Sequence, residues 1–237
     1  MDVMVKMAPV ASVARSDRRE TPNQTSANTR RPEWFPDWAG GTCAIVASGP
    51  SAVREPFHLL QERRDIKVVA INTSFQLVPW ADMLYACDGK WWDHYKGVPE
   101  FAGIKVTYDR DAARKHNLHR IDVARFGNDL LISNPGLVGA GGNSGFQALN
   151  LMVQIGLRQI ILIGFDMRVD GGGHWHPRHP HPLSNPDAAC NIPRWRKSLD
   201  GAARKLHELG VKVVNCSMVS DLKAYQKIPL EKVLALL

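Results

Sequence analysis

The chain has 237 residues, 44% of them hydrophobic, 22% charged and 8% aromatic, and carries a formal charge of +7 at pH 7. That length and apolar content suit one domain with a substantial core and exclude a wholly disordered chain. No apolar run reaches the roughly 18 residues of a membrane-spanning helix, which is excluded too. The positive charge suits anionic partners, nucleotides or nucleic acid, without choosing between them.

Residues 1–32 mix Ser, Thr, Pro, Asn and Arg with little apolar periodicity and are expected to form a flexible basic arm. Charges interrupt the first residues where a secretory signal needs a continuous apolar stretch, and Asp2, Asp17 and Glu20 argue against an organelle-targeting segment. Trp34, Phe35 and Trp38 are expected to pin this arm to a domain covering residues 33–237. Cys43, Cys87, Cys190 and Cys216 form no C-x-x-C pair, so a disulfide framework or cysteine zinc site is not expected and a reducing cytoplasm is the expected compartment.

From Cys43 onward, short apolar runs alternate with helical stretches. Strands are predicted at 43–47, 67–72, 83–87, 104–106, 130–133, 159–163 and 211–215, and helices at about 51–63, 144–155 and 195–209. A glycine-rich loop at 136–142 leads into the second helix, and Gly156 and Gly210 end the last two. The alternation predicts a single α/β, Rossmann-like domain: a mostly parallel sheet with helices on both faces.

In such sheets ligands bind beyond the carboxyl ends of the strands. Four predicted strands end in polar or flexible groups: Ser48-Gly49-Pro50-Ser51, Asn72-Thr73-Ser74, Asp88-Gly89 and Gly164-Phe165-Asp166. Together they predict one shared crevice. In the first turn, Gly49 lets backbone approach a ligand, Pro50 stiffens the turn, and Ser51 is expected to cap the next helix, whose free amides would attract phosphate. The alternative is a plain strand-to-helix turn. The turn is neither a P-loop nor a G-x-G-x-x-G fingerprint. In Gly141-Gly142-Asn143-Ser144-Gly145, Asn143 or Ser144 is the expected N-cap, and the loop is read either as a ligand cradle or as a hinge.

Four histidines, His174, His176, His179 and His181, fall in a stretch whose glycines and prolines forbid a helix. Histidine is the side chain best placed for proton transfer near neutral pH. The reading is a substrate-contacting lid with His176 as acid or base and His174 and His179 in support. A metal site of unfamiliar spacing and a merely solvated loop are the alternatives. Arg178 and Arg194 are candidates for neutralising a diphosphate, with an exposed basic face as the alternative. Of the adjacent Trp91 and Trp92, one is expected in the core and one at the crevice. Cys87 is read as a buried thiol rather than a nucleophile.

Ser48-Gly49-Pro50-Ser51, Asn72, and Asn143-Ser144-Gly145 followed by Gly164-Phe165-Asp166 resemble the bacterial CMP-sialic-acid-dependent sialyltransferases. They also resemble the wider group holding motility-associated glycosyltransferase-like and 6-hydroxymethylpterin diphosphokinase-like proteins. The run from Trp38 to Leu234 is similar to phage and prophage proteins of this group, which carry comparable Gly-Gly-Asn-Ser-Gly and His-Trp-His segments. The resemblance implies host cytoplasm as the location. It also implies nucleotide contacts from Gly49, Asn72 and Ser144, with Gly164 and Asp166 near the base or ribose. Ser48 stands where those sialyltransferases have asparagine, no histidine begins the last long helix, and the tyrosines that support their leaving phosphate are missing after Asp166. The histidine loop is the expected substitute.

Three functions are weighed. The first is a nucleotide-sugar-dependent transferase with an unidentified acceptor, no firm cofactor, and Ser48, Gly49, Pro50, Ser51, Asn72, Asp88, Asn143, Ser144, Gly145, Gly164 and Asp166 at the nucleotide. The second is a diphosphotransferase using Mg²⁺–ATP, with Asp88 and Asp166 as metal carboxylates. The third is a non-catalytic nucleotide or nucleic-acid binding protein relying on its positive charge.

Overall fold

Five consecutive residues of the first strand, β1 (Thr42–Val46), show how the sheet is built. Cys43 and Ile45 point into one apolar cluster, Ala44 and Val46 into another, and all four are buried. A strand apolar on both faces must be covered on both faces, which is the condition of an interior parallel strand. The computed structural model describes residues 30–124, 126–170 and 173–237. The arm expected at 1–32 therefore lies outside the described residues up to position 29.

After β1 the chain lays down β2 (Ile66–Ile71), β3 (Met83–Tyr85), β4 (Ile104–Thr107) and β5 (His119–Arg120) successively on one side. It then returns to β1's other edge with β8 (Gln159–Ile163), β9 (Lys212–Asn215) and β10 (Gln226–Lys227), giving the order β10-β9-β8-β1-β2-β3-β4-β5. All the pairs in this eight-stranded sheet are parallel. A separate two-stranded pair is formed by β6 (Asp122–Ala124) and β7 (Leu137–Gly139). Helices α4 (Ser144–Ile155) and α5 (Ala188–Glu208) contribute Phe146, Leu149, Met152, Leu199 and Leu206 to one cluster. Helices α1 (Phe57–Glu62), α2 (Gly89–His94), α3 (Arg110–His116) and α6 (Leu230–Leu236) supply Leu60, Trp92, Ala112 and Leu230 to the other. The expected parallel α/β sheet with helices on both faces is what the chain forms. No helix among the described residues is long and apolar enough to cross a membrane.

Three local expectations need correction. The helix expected from 51 to 63 is broken by Pro56, which holds Glu55 extended (φ −78°, ψ 141°) and divides the segment into a 3₁₀ turn at Pro50–Arg54 and the short α1. Residues 130–133 are not a strand. Their backbone is held by side chains of α4: the Asn150 amide accepts from Leu131 N–H (2.9 Å) and Gly139 N–H (2.8 Å) and donates to Leu131 C=O (2.8 Å), while Gln154 donates to Leu131 C=O and Leu137 C=O (both 2.7 Å). The last long helix starts at Ala188 rather than 195, because Asp187 caps it by accepting from Ala189 N–H (2.8 Å).

Asn143, Gln147, Asn150 and Gln154 thus form a polar stripe at helical spacing along an otherwise apolar α4. Gln147 accepts from Tyr85 O–H (2.7 Å) and donates to Ala140 C=O (3.0 Å). The stripe fixes the glycine-rich approach to α4 from below. Asn150 is fully buried; Asn150→Ala leaves the Leu131 and Gly139 amides without their acceptor, each worth about 1–3 kcal/mol, while Leu131 C=O keeps its bond from Gln154. Chemical denaturation is expected to show a loss of at least ~2 kcal/mol, whereas an exposed substitution such as Arg204→Ala changes little.

Candidate functional site

The sheet reverses its direction of growth between β1 and β8, and ligand crevices of open α/β sheets form at such switch points. Val46 pairs with Ile163 at the ends of the two strands, so their turns leave the sheet side by side. Gly49 N–H donates to Gly164 C=O (2.8 Å), and a Cβ on Gly49 would stand 2.4 Å from that oxygen and 2.7 Å from the Asp166 carboxyl carbon. Gly164 has φ +70°, and a Cβ there would meet Ala47 C=O at 2.4 Å. Both glycines are required for the turns to touch.

Asp166, buried at 5% exposure, completes the joint: its carboxylate accepts the Ser51 amide (2.8 Å) and the Ser51 hydroxyl. This corrects two expectations. Ser51 caps no helix, since Gly49 is the N-cap residue and no side chain caps that turn, and the Ser51 amide is already engaged rather than free for phosphate.

Above this joint lies a crevice of about 240 Å³. Of the residues singled out in the sequence, Ser48, Gly49, Pro50, Asn72, Asp88, Asn143, Ser144, Gly145, Gly164 and Asp166 line it, together with His174 and His179. Ser51, His176, Arg178 and Arg194 do not form its wall. The Arg194 guanidinium nevertheless lies against the Gly142 turn, where an added Cβ would come within 2.9 Å of its carbon, and its Nη2 donates to Asn191 (3.0 Å). Arg178 is exposed.

Two wall residues have left-handed backbone without being glycine: Asn72 (φ +48°), after β2, and Met167 (φ +49°), after β8. Asparagine tolerates this region better than methionine does, and such strain gathers where a site requires an unusual path. Asn143 accepts from Phe146 N–H (2.9 Å) as the N-cap of α4, settling the choice between Asn143 and Ser144. Asp88 caps α2 through Lys90 N–H (2.9 Å) while facing the crevice. Both Trp91 and Trp92 are buried, and Trp91 is also part of the wall. Burial raises the Cys87 thiol, the bond from Ser144 opposing this less strongly, so Cys87 is no thiolate nucleophile.

The crevice also takes in residues that sequence reading passed over. Arg168 lines it and is paired with Asp170 through two bonds (3.0 and 2.7 Å). Trp195, from α5, lines it with a buried indole N–H that has no acceptor among the described residues. Leu183, Ser184 and Pro186 close it from the segment after the histidines. No motif in the sequence marks any of these, and Trp195 stands there only as the first residue of the helix expected at 195–209.

The histidine segment is tied down over the crevice by Trp175. Its backbone amide donates to Ser48 C=O (2.9 Å) and its indole to Ser74 Oγ (3.3 Å), which lies 3.2 Å from Ser48 Oγ. The rings of His174 and His176 stack (centroids 5.1 Å, 16°), and His176 meets His179 (4.6 Å). Burial of its ring, then the neighbouring His176 and His179, brings His174 down to about 4, although the residue as a whole is exposed. Burial lowers His176 and His179 as well. Among the described residues no group of three or more His, Cys, Asp or Glu side chains is placed to hold a metal ion. Both oxygens of Asp166, a carboxylate of the magnesium reading, already accept from Ser51.

The sequence matches no family model and no curated protein. Among solved structures, the chain is similar to the MAf glycosyltransferase of Magnetospirillum magneticum AMB-1, with a TM-score of 0.56 and 12% identity over 81% of this chain and 34% of that one. It thus spans about a third of that protein's length. The sialyltransferase CstII of Campylobacter jejuni, solved with the substrate analogue cytidine-5'-monophosphate, gives a TM-score of 0.46 and 11% identity over 80% of this chain and 85% of that one. At 12% identity the likeness to the MAf glycosyltransferase is one of fold alone.

Beside the joint, Glu55 is raised from 4.5 to about 7, by burial first and then by the charges of Glu231 and Asp166. A raised acid loses its proton earlier in the unfolded chain than in the folded one, so stability falls as pH rises from 4.5 to about 7. Glu55→Gln is expected to raise the thermal midpoint near pH 8 by a few degrees and to change it much less near pH 4, as measured by calorimetry at both pH values.

Proposed function

We propose that the chain is a nucleotide-sugar-dependent glycosyltransferase whose donor occupies the crevice at the β1/β8 switch point. The observation that carries this reading is the convergence of four strand-end turns, after β1, β2, β3 and β8, with the first turn of α4 on one small crevice. A fold shared with a known glycosyltransferase supports it.

The Asn143 cap uses the Phe146 amide and leaves the Ser144 and Gly145 amides without protein acceptors among the described residues. At the positive end of a twelve-residue helix these are suited to the leaving phosphate. Asn72, on its left-handed turn, and Trp91 supply polar and aromatic surface for the nucleoside. In the transfer, the acceptor hydroxyl oxygen forms a bond to the anomeric carbon. The bond from that carbon to the phosphate oxygen breaks, its electron pair leaving with the phosphate, and the hydroxyl proton passes to a neutral histidine of the loop.

Thermal shift against CMP, UDP, Mg²⁺–ATP and duplex DNA tests the proposal. CMP or UDP is expected to stabilise the chain without added metal, and Asn72→Ala, which removes a polar side chain from the crevice wall, to weaken that nucleotide about tenfold. A response confined to Mg²⁺–ATP would favour diphosphotransfer. Steeply salt-dependent DNA binding with no nucleotide response would favour a nucleic-acid binding protein and contradict the proposal.

A further inference from the structure

We propose that, of the loop histidines, His179 is the one that exchanges the proton, that Asn185 positions it and that Asp88, on the same crevice wall, is the carboxylate that stabilises its protonated form. The inference rests on the glycosyl-transfer reading and goes beyond it by assigning the proton to one ring and naming the two side chains that prepare that ring.

Geometry separates the three rings. His176 is packed between His174 and His179 and edge-on to Trp175 (5.3 Å, 90°), its Nδ1 is bonded to Pro177 C=O (2.8 Å), and it is not part of the crevice wall. It acts as a spacer that sets the other two rings apart. His174 is on the wall but is stacked on His176, and burial followed by its histidine neighbours lowers it to about 4, which makes it a weak proton acceptor.

His179 lines the crevice and also meets the His176 ring (4.6 Å), and what sets it apart is how its backbone is held. Its backbone is clamped from each side by one side chain: Asn185 Oδ1 accepts from His179 N–H (2.8 Å), and Asn185 Nδ2 donates to His179 C=O (2.9 Å). The Pro180–Leu183 turn (Leu183 N–H to Pro180 C=O, 2.9 Å) closes the loop between clamp and ring, and Leu183, Ser184 and Pro186 continue the crevice wall beside it. A side chain that satisfies both backbone groups of one residue six positions away fixes that residue's place in a segment without regular structure.

His176 meets the His179 ring at 4.6 Å, Asp88 at the head of α2 shares the crevice wall with it, and His94 of α2 acts on it through its charge. Burial and the two histidines favour the neutral ring, while Asp88 favours the protonated one. That balance keeps His179 neutral before transfer and stabilises the imidazolium formed when it accepts the acceptor hydroxyl proton, the electrons of that O–H bond forming the new bond to the anomeric carbon. Asp88→Asn retains the cap on α2, since asparagine caps as well as aspartate, and removes only the charge.

The test combines histidine NMR titration of the full chain with donor turnover, read as nucleotide released from CMP- and UDP-sugars. Asp88→Asn is expected to move the His179 titration to lower pH and leave His207 where it was; an unmoved His179 overturns the pairing. His179→Ala is expected to lower kcat about a hundredfold with donor KM little changed, and His176→Ala to lower it far less. Asn185→Ala is expected to lower kcat at least tenfold, with Asn185→Asp, which keeps the acceptor for the His179 amide, recovering part of the loss. The reverse order of the two histidine variants, or an Asn185→Ala enzyme with full kcat, overturns the assignment. If CMP and UDP leave the thermal midpoint unchanged and no donor is turned over, the glycosyl-transfer reading fails, and the role of His179 in it with it. Bound nucleotide with the wrong histidine order overturns the assignment alone.

Discussion

The contact between the turns after β1 and β8 is the constraint on which the rest of the structure depends. Two parallel strands in register deliver two turns to the same place, and backbone can pass backbone there only because positions 49 and 164 lack a Cβ. Asp166 then joins the turns through both atoms that Ser51 offers, inside a region where little water remains to compete. With that joint closed, the ends of β2 and β3 on one side and the first turn of α4 on the other have a common rim to meet. The crevice is thus a consequence of the sheet's reversal and of two absent side chains.

A second layer of order comes from below. Helix α4 is apolar on most of its surface, yet it uses a stripe of amides to hold the 130–140 segment that leads into its own first turn. A glycine-rich segment in isolation samples many conformations; here its backbone groups are matched to side chains that cannot move without unpacking the core. The Ser144 and Gly145 amides at the head of α4, without acceptors among the described residues, are therefore presented by a rigid support, the condition for electrostatic stabilisation without reorganisation. The histidine loop, tied by Trp175 to Ser48 and Ser74, covers the same rim from above.

Much of this was legible in the sequence, for identifiable reasons. Interior parallel strands are short, apolar and bounded by polar turns, so β1, β2, β8 and β9 stood out and their carboxyl ends pointed to the site. Ten of the eleven residues proposed there for the nucleotide line the crevice, Ser51 being the exception because it faces Asp166 instead. Less was legible where the partner of a group is distant in the chain. Asn150 and Gln154 read as unremarkable helix residues until the segment they hold is folded beside them. The two-residue β5 and β10 carry no periodicity of their own and exist because a neighbouring strand offers an edge. The separation of His176 from the crevice follows from ring packing among residues of one type, which composition cannot rank.

Amide chemical-shift mapping during titration with CMP and UDP tests the central claim most directly. The account predicts that Gly49, Asn72, Gly145 and Asp166 shift together along one saturation curve, with residues of the distant groove around Arg31 and Arg120 unmoved. Shifts gathered on that arginine groove, or independent curves for the β1 and α4 turns, would contradict it.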